Sequence, residues 1–118
     1  MFVGVLRFSL DIVGARSLKD KRSVVKSLKE RAQGRLHVSI AEVGALDDPR
    51  RATLGAAVVS NSAAVCDKVL ADVASMASTL PDAVLTDRAT ELIPFGEGGL
   101  GVQGGIEQAL DRYREDDE

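Results

Sequence analysis

The stretch FVGVLRFSLDI, residues 2–12, decides the fold because its side chains alternate strictly between two faces. One face carries Phe2, Leu6, Phe8, Leu10 and Ile12, with Gly4 among them. The other face carries Val3, Val5, Arg7, Ser9 and Asp11. A period of two with one fully apolar face is typical of a half-buried β-strand, and the charges within it do not fit a signal peptide.

A helix is predicted directly after this strand. Ser17 is a suitable N-cap and Asp20 stands three residues later, as in a capping box. The apolar residues that follow share one helical face, namely Leu18, Val24, Val25, Leu28 and Ala32. Because glycine commonly ends a helix, we expect the helix to span residues 18–33 and to stop at Gly34.

The rest of the chain predicts two more strands, a second helix and a last strand. The strands are expected at residues 36–43, 52–60 and 83–93, and Leu36, Val38 and Ile40 share one face of the first of these. The second helix is expected at residues 63–80, with Asn61 or Ser62 as its N-cap and Pro81 as its stop. This β-α-β-β-α-β order predicts an α+β fold, the ferredoxin-like sandwich, with a four-stranded antiparallel sheet and two helices on one face.

Residues 1–94 are expected to form this single domain, and residues 95–118 a tail. Residues 96–105 contain six glycines and are interpreted as a linker, although residues 99–104 formally match G-x-G-x-x-G. Residues 106–114 are compatible with a short helix before the acidic end EDDE. The glycine motif does not predict a dinucleotide site, because no opening βαβ unit accompanies it.

Composition narrows the class of protein. The chain has 118 residues, of which 45% are apolar and 28% charged, which fits one globular domain. A single cysteine excludes an internal disulfide framework and favours the reducing cytoplasm, and the absence of a long apolar run predicts no membrane partner. Aromatic residues are only 3% of the chain, which disfavours nucleic-acid binding by base stacking.

Charge is distributed unevenly along the chain. Residues 1–51 hold 11 Lys and Arg against 6 Asp and Glu, a balance of +5, whereas residues 52–118 hold 4 against 12, a balance of −8. The basic excess is concentrated in and around the first helix. Local clustering of one charge can attract a partner of the opposite charge even when the net charge of the chain is −3.

The first helix is the strongest candidate site. Its candidate phosphate-binding residues are Arg16, Lys19, Lys21, Arg22, Lys26 and Lys29. Four of them fall within one narrow arc of the helix, and the first-turn cations adjoin the free N–H groups of the helix start. Lys21 falls on the apolar arc, so we expect its stem to pack while its amine reaches the solvent. The alternative is a solvated basic surface without a ligand.

The open face of the predicted sheet is the second candidate surface. Val3, Val5 and Val59 are expected on it, with Arg7 alongside. Exposed valines on a sheet suggest self-association, or cover by the tail. The alternative is an ordinary sheet face with scattered apolar residues.

The sequence contains few residues that are candidates for catalysis or metal binding. Cys66 is expected in the core of the second helix, and His37 is the only histidine. Glu42 is either an acid with a functional use or a structural partner of Arg51 or Lys21. We therefore expect no catalytic residue, no metal and no cofactor.

Three blocks of sequence together resemble the YlxP-like family, small bacterial proteins grouped as a domain of unknown function. The blocks are SLKDKR (17–22), VSIAEV (38–43) and ATLGAAVVSN (52–61), and the resemblance covers residues 1–93. It implies a ferredoxin-like fold. It also implies a role near RNA, because the genes of this family often lie beside genes for translation initiation and ribosome maturation factors. The family commonly has a Trp-Gln pair where this chain has Pro49 and Arg50, so no role of that aromatic is carried over.

Three hypotheses about function follow. The first is a non-enzymatic accessory protein that contacts RNA or a ribosomal subunit through the basic first helix. The second is a homo-oligomeric interaction module, in the simplest case a homodimer, that uses the open sheet face. The third is a small-molecule or regulatory site at the first helix.

Overall fold

A computed structural model describes residues 1–96 of the chain. Its elements are β1 (Phe2–Ile12), α1 (Leu18–Leu36), β2 (Ser39–Gly44), β3 (Arg51–Ser60), α2 (Ala63–Ser78) and β4 (Ala83–Pro94). The predicted order of strands and helices is confirmed. The tail predicted to hold the linker and the short helix at 106–114 lies outside the described residues, apart from Phe95 and Gly96.

The four strands form one antiparallel sheet in the order β2-β3-β1-β4. The two helices pack on the same side, α1 against β2 and β3 and α2 against β1, β3 and β4. The fold is therefore the predicted ferredoxin-like α+β sandwich. No helix of residues 1–96 lies on the opposite side of the sheet, which we call the open face.

The core lies between the sheet and the two helices. Its largest buried side chains come from the apolar face of β1 and from the facing stripes of α1 and α2, and include Leu6, Phe8, Leu10, Leu28, Leu54, Leu70 and Val73. Gly4 allows α2 to approach β1 closely, because a Cβ atom there would lie 2.8 Å from Cδ1 of Leu70. The alternation in residues 2–12 thus determines which side of the sheet is buried against the helices.

Two predicted boundaries around the end of α1 are wrong. Gly34 does not stop the helix, which continues to Leu36 and ends at His37 in the left-handed conformation, with φ of 54°. The His37 N–H donates to the carbonyl of Gln33 and closes the last turn. Leu36 is therefore helical and does not belong to β2, which begins only at Ser39.

Candidate functional site

The start of α1 is capped by its own side chains. The Asp20 N–H donates to the Ser17 hydroxyl at 3.2 Å, and the Asp20 carboxylate accepts from the Arg16 N–H at 2.9 Å. The predicted capping interaction between Ser17 and Asp20 is confirmed, with Arg16 as the reciprocal donor. This carboxylate places a negative charge at the positive end of the helix, where it would compete with an external anion.

The side of α1 carries four cations in one row, which we call the basic face: Lys19, Arg22, Lys26 and Lys29. At 100° per residue they lie within about 80° of arc, beside the buried stripe. Three of the four side chains are exposed and Lys29 is half-buried. Ser23 and Ser27 lie on the other side of the helix, in a depression shared with Leu80. The basic face therefore points away from α2, over the edge of the sheet formed by β2.

Few acids oppose the basic face. Lys26 lies 3.9 Å from the Glu30 carboxylate, and both side chains are largely exposed. Among residues 1–96, no carboxylate lies within 4.0 Å of the terminal nitrogens of Lys19, Arg22 or Lys29. The basic face thus carries net positive charge that the described domain leaves uncompensated.

Lys21 is not part of this face. Its side chain is 1% exposed, and its Nζ atom lies 2.8 Å from Oε2 of Glu42. The ammonium donates to three carbonyls, of Ala45 at 2.9 Å, Leu46 at 3.1 Å and Arg51 at 3.3 Å. The prediction that its amine reaches the solvent is wrong, because the domain itself supplies four oxygens around it.

Lys21 joins the three sequence blocks that carry the family resemblance. It lies in the first block, Glu42 lies in the second, and the Arg51 carbonyl immediately precedes the third. The expected structural partnership of Glu42 with Lys21 is confirmed. The carbonyls of Ala45 and Leu46 were missed by the sequence reasoning, because backbone acceptors leave no signal in side-chain patterns.

Arg16 lies apart from the basic face, beside the β1–α1 turn. It lines a depression of about 520 Å³ together with Asp20 and Asp82. A second depression, of about 460 Å³, lies on the other side of the turn and holds two arginines and two aspartates, namely Arg50, Arg51, Asp11 and Asp48. Acids outnumber the cation in the first depression and match the cations in the second, so this end of the domain lacks the net positive charge of the basic face.

The open face bears the predicted apolar row. In the sheet register Val3 stands opposite Val59 on one side and Ile93 on the other. Val5 is next along β1 and stands opposite Ala57. Val59 is 63% exposed and Val5 is 37% exposed, so the predicted interface residues lie together on a surface that no helix of residues 1–96 covers.

The remaining candidates are structural. Cys66 is fully buried, as expected of a core cysteine. His37 caps α1 and is exposed. Within residues 1–96, no three His, Cys, Asp or Glu side chains lie close enough together to hold a metal ion. No helix in the same range is long and apolar enough to cross a membrane.

Comparison with known proteins identifies the family but no activity. Residues 3–90 match the family model described as "Protein of unknown function (DUF503)". A relative from Bacillus subtilis (strain 168), the uncharacterized protein YlxP, is 35% identical over 89 residues, which are 75% of this chain and 97% of that protein. The family model runs from β1 into β4 and includes the three blocks joined by Lys21. The chain therefore belongs to the DUF503 family of proteins of unknown function.

Proposed function

We propose that this protein is a non-enzymatic accessory protein that contacts the phosphate backbone of RNA, free or in a ribosomal subunit, through the basic face of α1. The observation that carries the proposal is the row of four cations, of which three have no carboxylate partner in the described domain. Rows of cations without base-reading side chains suit backbone contact, which positions a protein without reading sequence.

Two further observations support a backbone contact. The row follows one side of a 19-residue helix, so its cations are spaced along a line, as phosphates are along a strand. The open face lacks aromatic residues at the central strands, where Arg7, Gly55 and Ala57 stand, so base stacking on the sheet is not an option. The gene context implied by the family resemblance agrees with a role near RNA.

The test is the salt dependence of binding to a hairpin RNA, a single-stranded RNA and purified ribosomal subunits. Four phosphate contacts predict a slope of log affinity against log salt of roughly −3 to −4. The double variant Arg22→Gln/Lys26→Gln is expected to lower the affinity and to reduce the slope by about two contacts, or roughly 1.4 to 1.8. Little preference among RNA sequences is expected.

A matched control lies on the same helix. Arg31 and Arg35 are exposed but lie on the opposite side of α1 from the basic face. The double variant Arg31→Gln/Arg35→Gln therefore removes two positive charges, as Arg22→Gln/Lys26→Gln does, but from outside the basic face. This control is expected to retain most of the affinity and the steep slope. The proposal is wrong if no RNA or subunit binds at low salt, or if the two double variants weaken binding equally.

We propose a second function for a different surface, in which the open face makes this protein a protein-interaction module. The observation that favours it is the apolar row of Val3, Val5 and Val59, of which Val5 and Val59 are exposed, on a side of the sheet that no helix of residues 1–96 covers. Replacing Val5 with Glu places a charge in the middle of this surface and is expected to weaken association about tenfold or more while leaving the monomer folded. Unchanged association in that variant would contradict the second function.

A further inference from the structure

We propose that the partner on the open face is a second copy of this chain, related by a two-fold axis that runs parallel to the strands between β1 and β3. This inference rests on the second proposed function. It fixes which strands meet, since each β1 would lie over β3 of the other copy and each β4 over β2. Val5 of one copy would then face Ala57 of the other.

The shape of the open face is self-complementary under rotation about this two-fold axis. The half formed by β1 and β4 carries the larger side chains, including Val3, Val5 and Ile93. The half formed by β2 and β3 is lower at its centre, where Ser39, Ala41 and Ala57 stand. At the centre of the face, a two-fold axis between β1 and β3 places the larger side chains of each copy, Val5 and Arg7, on the small residues of the other, Ala57 and Gly55. Val3 then meets Val59, which extends the apolar contact to the end of the sheet.

The charges of the open face permit this contact. Arg7 lies 3.8 Å from the Asp87 carboxylate of the same chain, so the two can enter an interface as a pair. Glu91 lies on β4, an edge strand, where it would stay at the wet rim. Thus neither Arg7 nor Asp87 needs a partner from outside, and the other acids of this face, Asp11 and Glu91, lie at the end of β1 and on the edge strand.

The area of the open face determines how strongly the two copies are expected to associate. A residue on one face of a sheet occupies about 30 Å², given about 6.8 Å between same-face neighbours along a strand and about 4.8 Å between strands. Roughly 15 open-face residues per copy therefore bury about 900 Å² in total, which is the size of weak, transient interfaces. We accordingly expect a reversible dimer whose population depends on concentration.

The association itself is tested by sedimentation velocity of the full chain over a concentration series. The average mass is expected to rise toward twice the monomer mass, and Val5→Glu is expected to raise the dissociation constant about tenfold or more. Val65→Glu is the control, because Val65 is also an exposed valine but lies on α2. A monomer at all concentrations overturns the proposal, and a thermal midpoint lowered by Val5→Glu would then indicate that the chain covers the face with its own tail.

The arrangement is tested separately by disulfide trapping. The only native cysteine, Cys66, is fully buried and does not compete. A mixture of the Val5→Cys and Ala57→Cys proteins is expected to form mixed disulfide dimers under mild oxidation, whereas Val5→Cys alone forms few. If the chain dimerises but Val5→Cys traps itself as efficiently, the axis is wrong while the interaction surface stands. If Val5→Glu leaves the dimer intact, the open face is not the contact and the second proposed function fails as well.

Discussion

The Nζ atom of Lys21 lies 2.8 Å from Oε2 of Glu42, and this contact joins the first turn of α1 to β2. Both side chains are largely shielded from solvent, with exposed fractions of 1% for Lys21 and 16% for Glu42. The contact is a buried ion pair, and its angles lie outside those of a regular hydrogen bond. The hydrogen bonds of the ammonium go to three carbonyls instead, of which those of Ala45 and Leu46 belong to the β2–β3 connection. One buried cation thus holds a helix, a strand and a turn.

Replacing Lys21 with Met is expected to lower the free energy of unfolding by about 3 kcal/mol. The change leaves the Glu42 carboxylate, 16% exposed, without its counter-charge and removes the donor for three carbonyls. Glu42→Gln is expected to cost less, about 1–2 kcal/mol, because the ammonium keeps its carbonyl partners. Urea denaturation monitored by circular dichroism measures both. A Lys21→Met protein as stable as the original would mean that Lys21 is free for an external anion after all.

Alternation and capping residues predicted most of the fold, whereas the backbone contacts of α1 were not predictable. Residues 2–12 and the Ser17 and Ser62 caps correctly placed β1 and the starts of both helices. The helix end was misplaced because Gly34 is tolerated inside a helix when tertiary packing holds the turns on either side. The sequence predicts a solvent-exposed Lys21 amine because most partners of this amine are carbonyls, whose positions follow from the fold and not from residue types.

Gly34→Ala is expected to stabilise the protein by about 0.5–1 kcal/mol, because Gly34 is an exposed interior position of α1. A Cβ atom there has no neighbour within 4 Å. Gly4→Ala is the opposite case, since its Cβ would lie 2.8 Å from Leu70 and 3.1 Å from Cys66, and a loss of about 1–3 kcal/mol is expected. Thermal midpoints of the two variants should move in opposite directions. A loss of stability in Gly34→Ala would argue that α1 ends where the sequence pattern first indicated.

His37→Gly is expected to stabilise the protein by up to about 1 kcal/mol. His37 adopts a φ of 54° at the C-cap of α1, a conformation that costs an L-residue more than it costs glycine. The gain is partly offset because glycine loses more conformational freedom on folding. Equilibrium unfolding with His37→Ala as the comparison isolates the effect, since alanine retains the Cβ atom and should give no gain. Equal stabilities for the Gly and Ala variants would contradict this interpretation.

Lys19→Gln is expected to raise stability and to lower affinity for RNA at the same time. Lys19 is exposed in the first turn of α1, where its charge faces the positive end of the helix, so removing it should stabilise the domain by about 0.3–1 kcal/mol. Binding should lose about one phosphate contact, which is roughly 0.7–0.9 of the salt slope.

Lys29→Gln separates these two effects. Lys29 belongs to the same basic face but lies well inside α1, away from the positive helix end. Its replacement should lower RNA affinity by a similar amount without any gain in stability. A cation kept only for solubility would give no loss of binding in either variant. A functional basic face therefore requires a combined result. Lys19→Gln should gain stability and lose RNA affinity, whereas Lys29→Gln should lose RNA affinity alone. A basic face that is merely solvated cannot produce this combination.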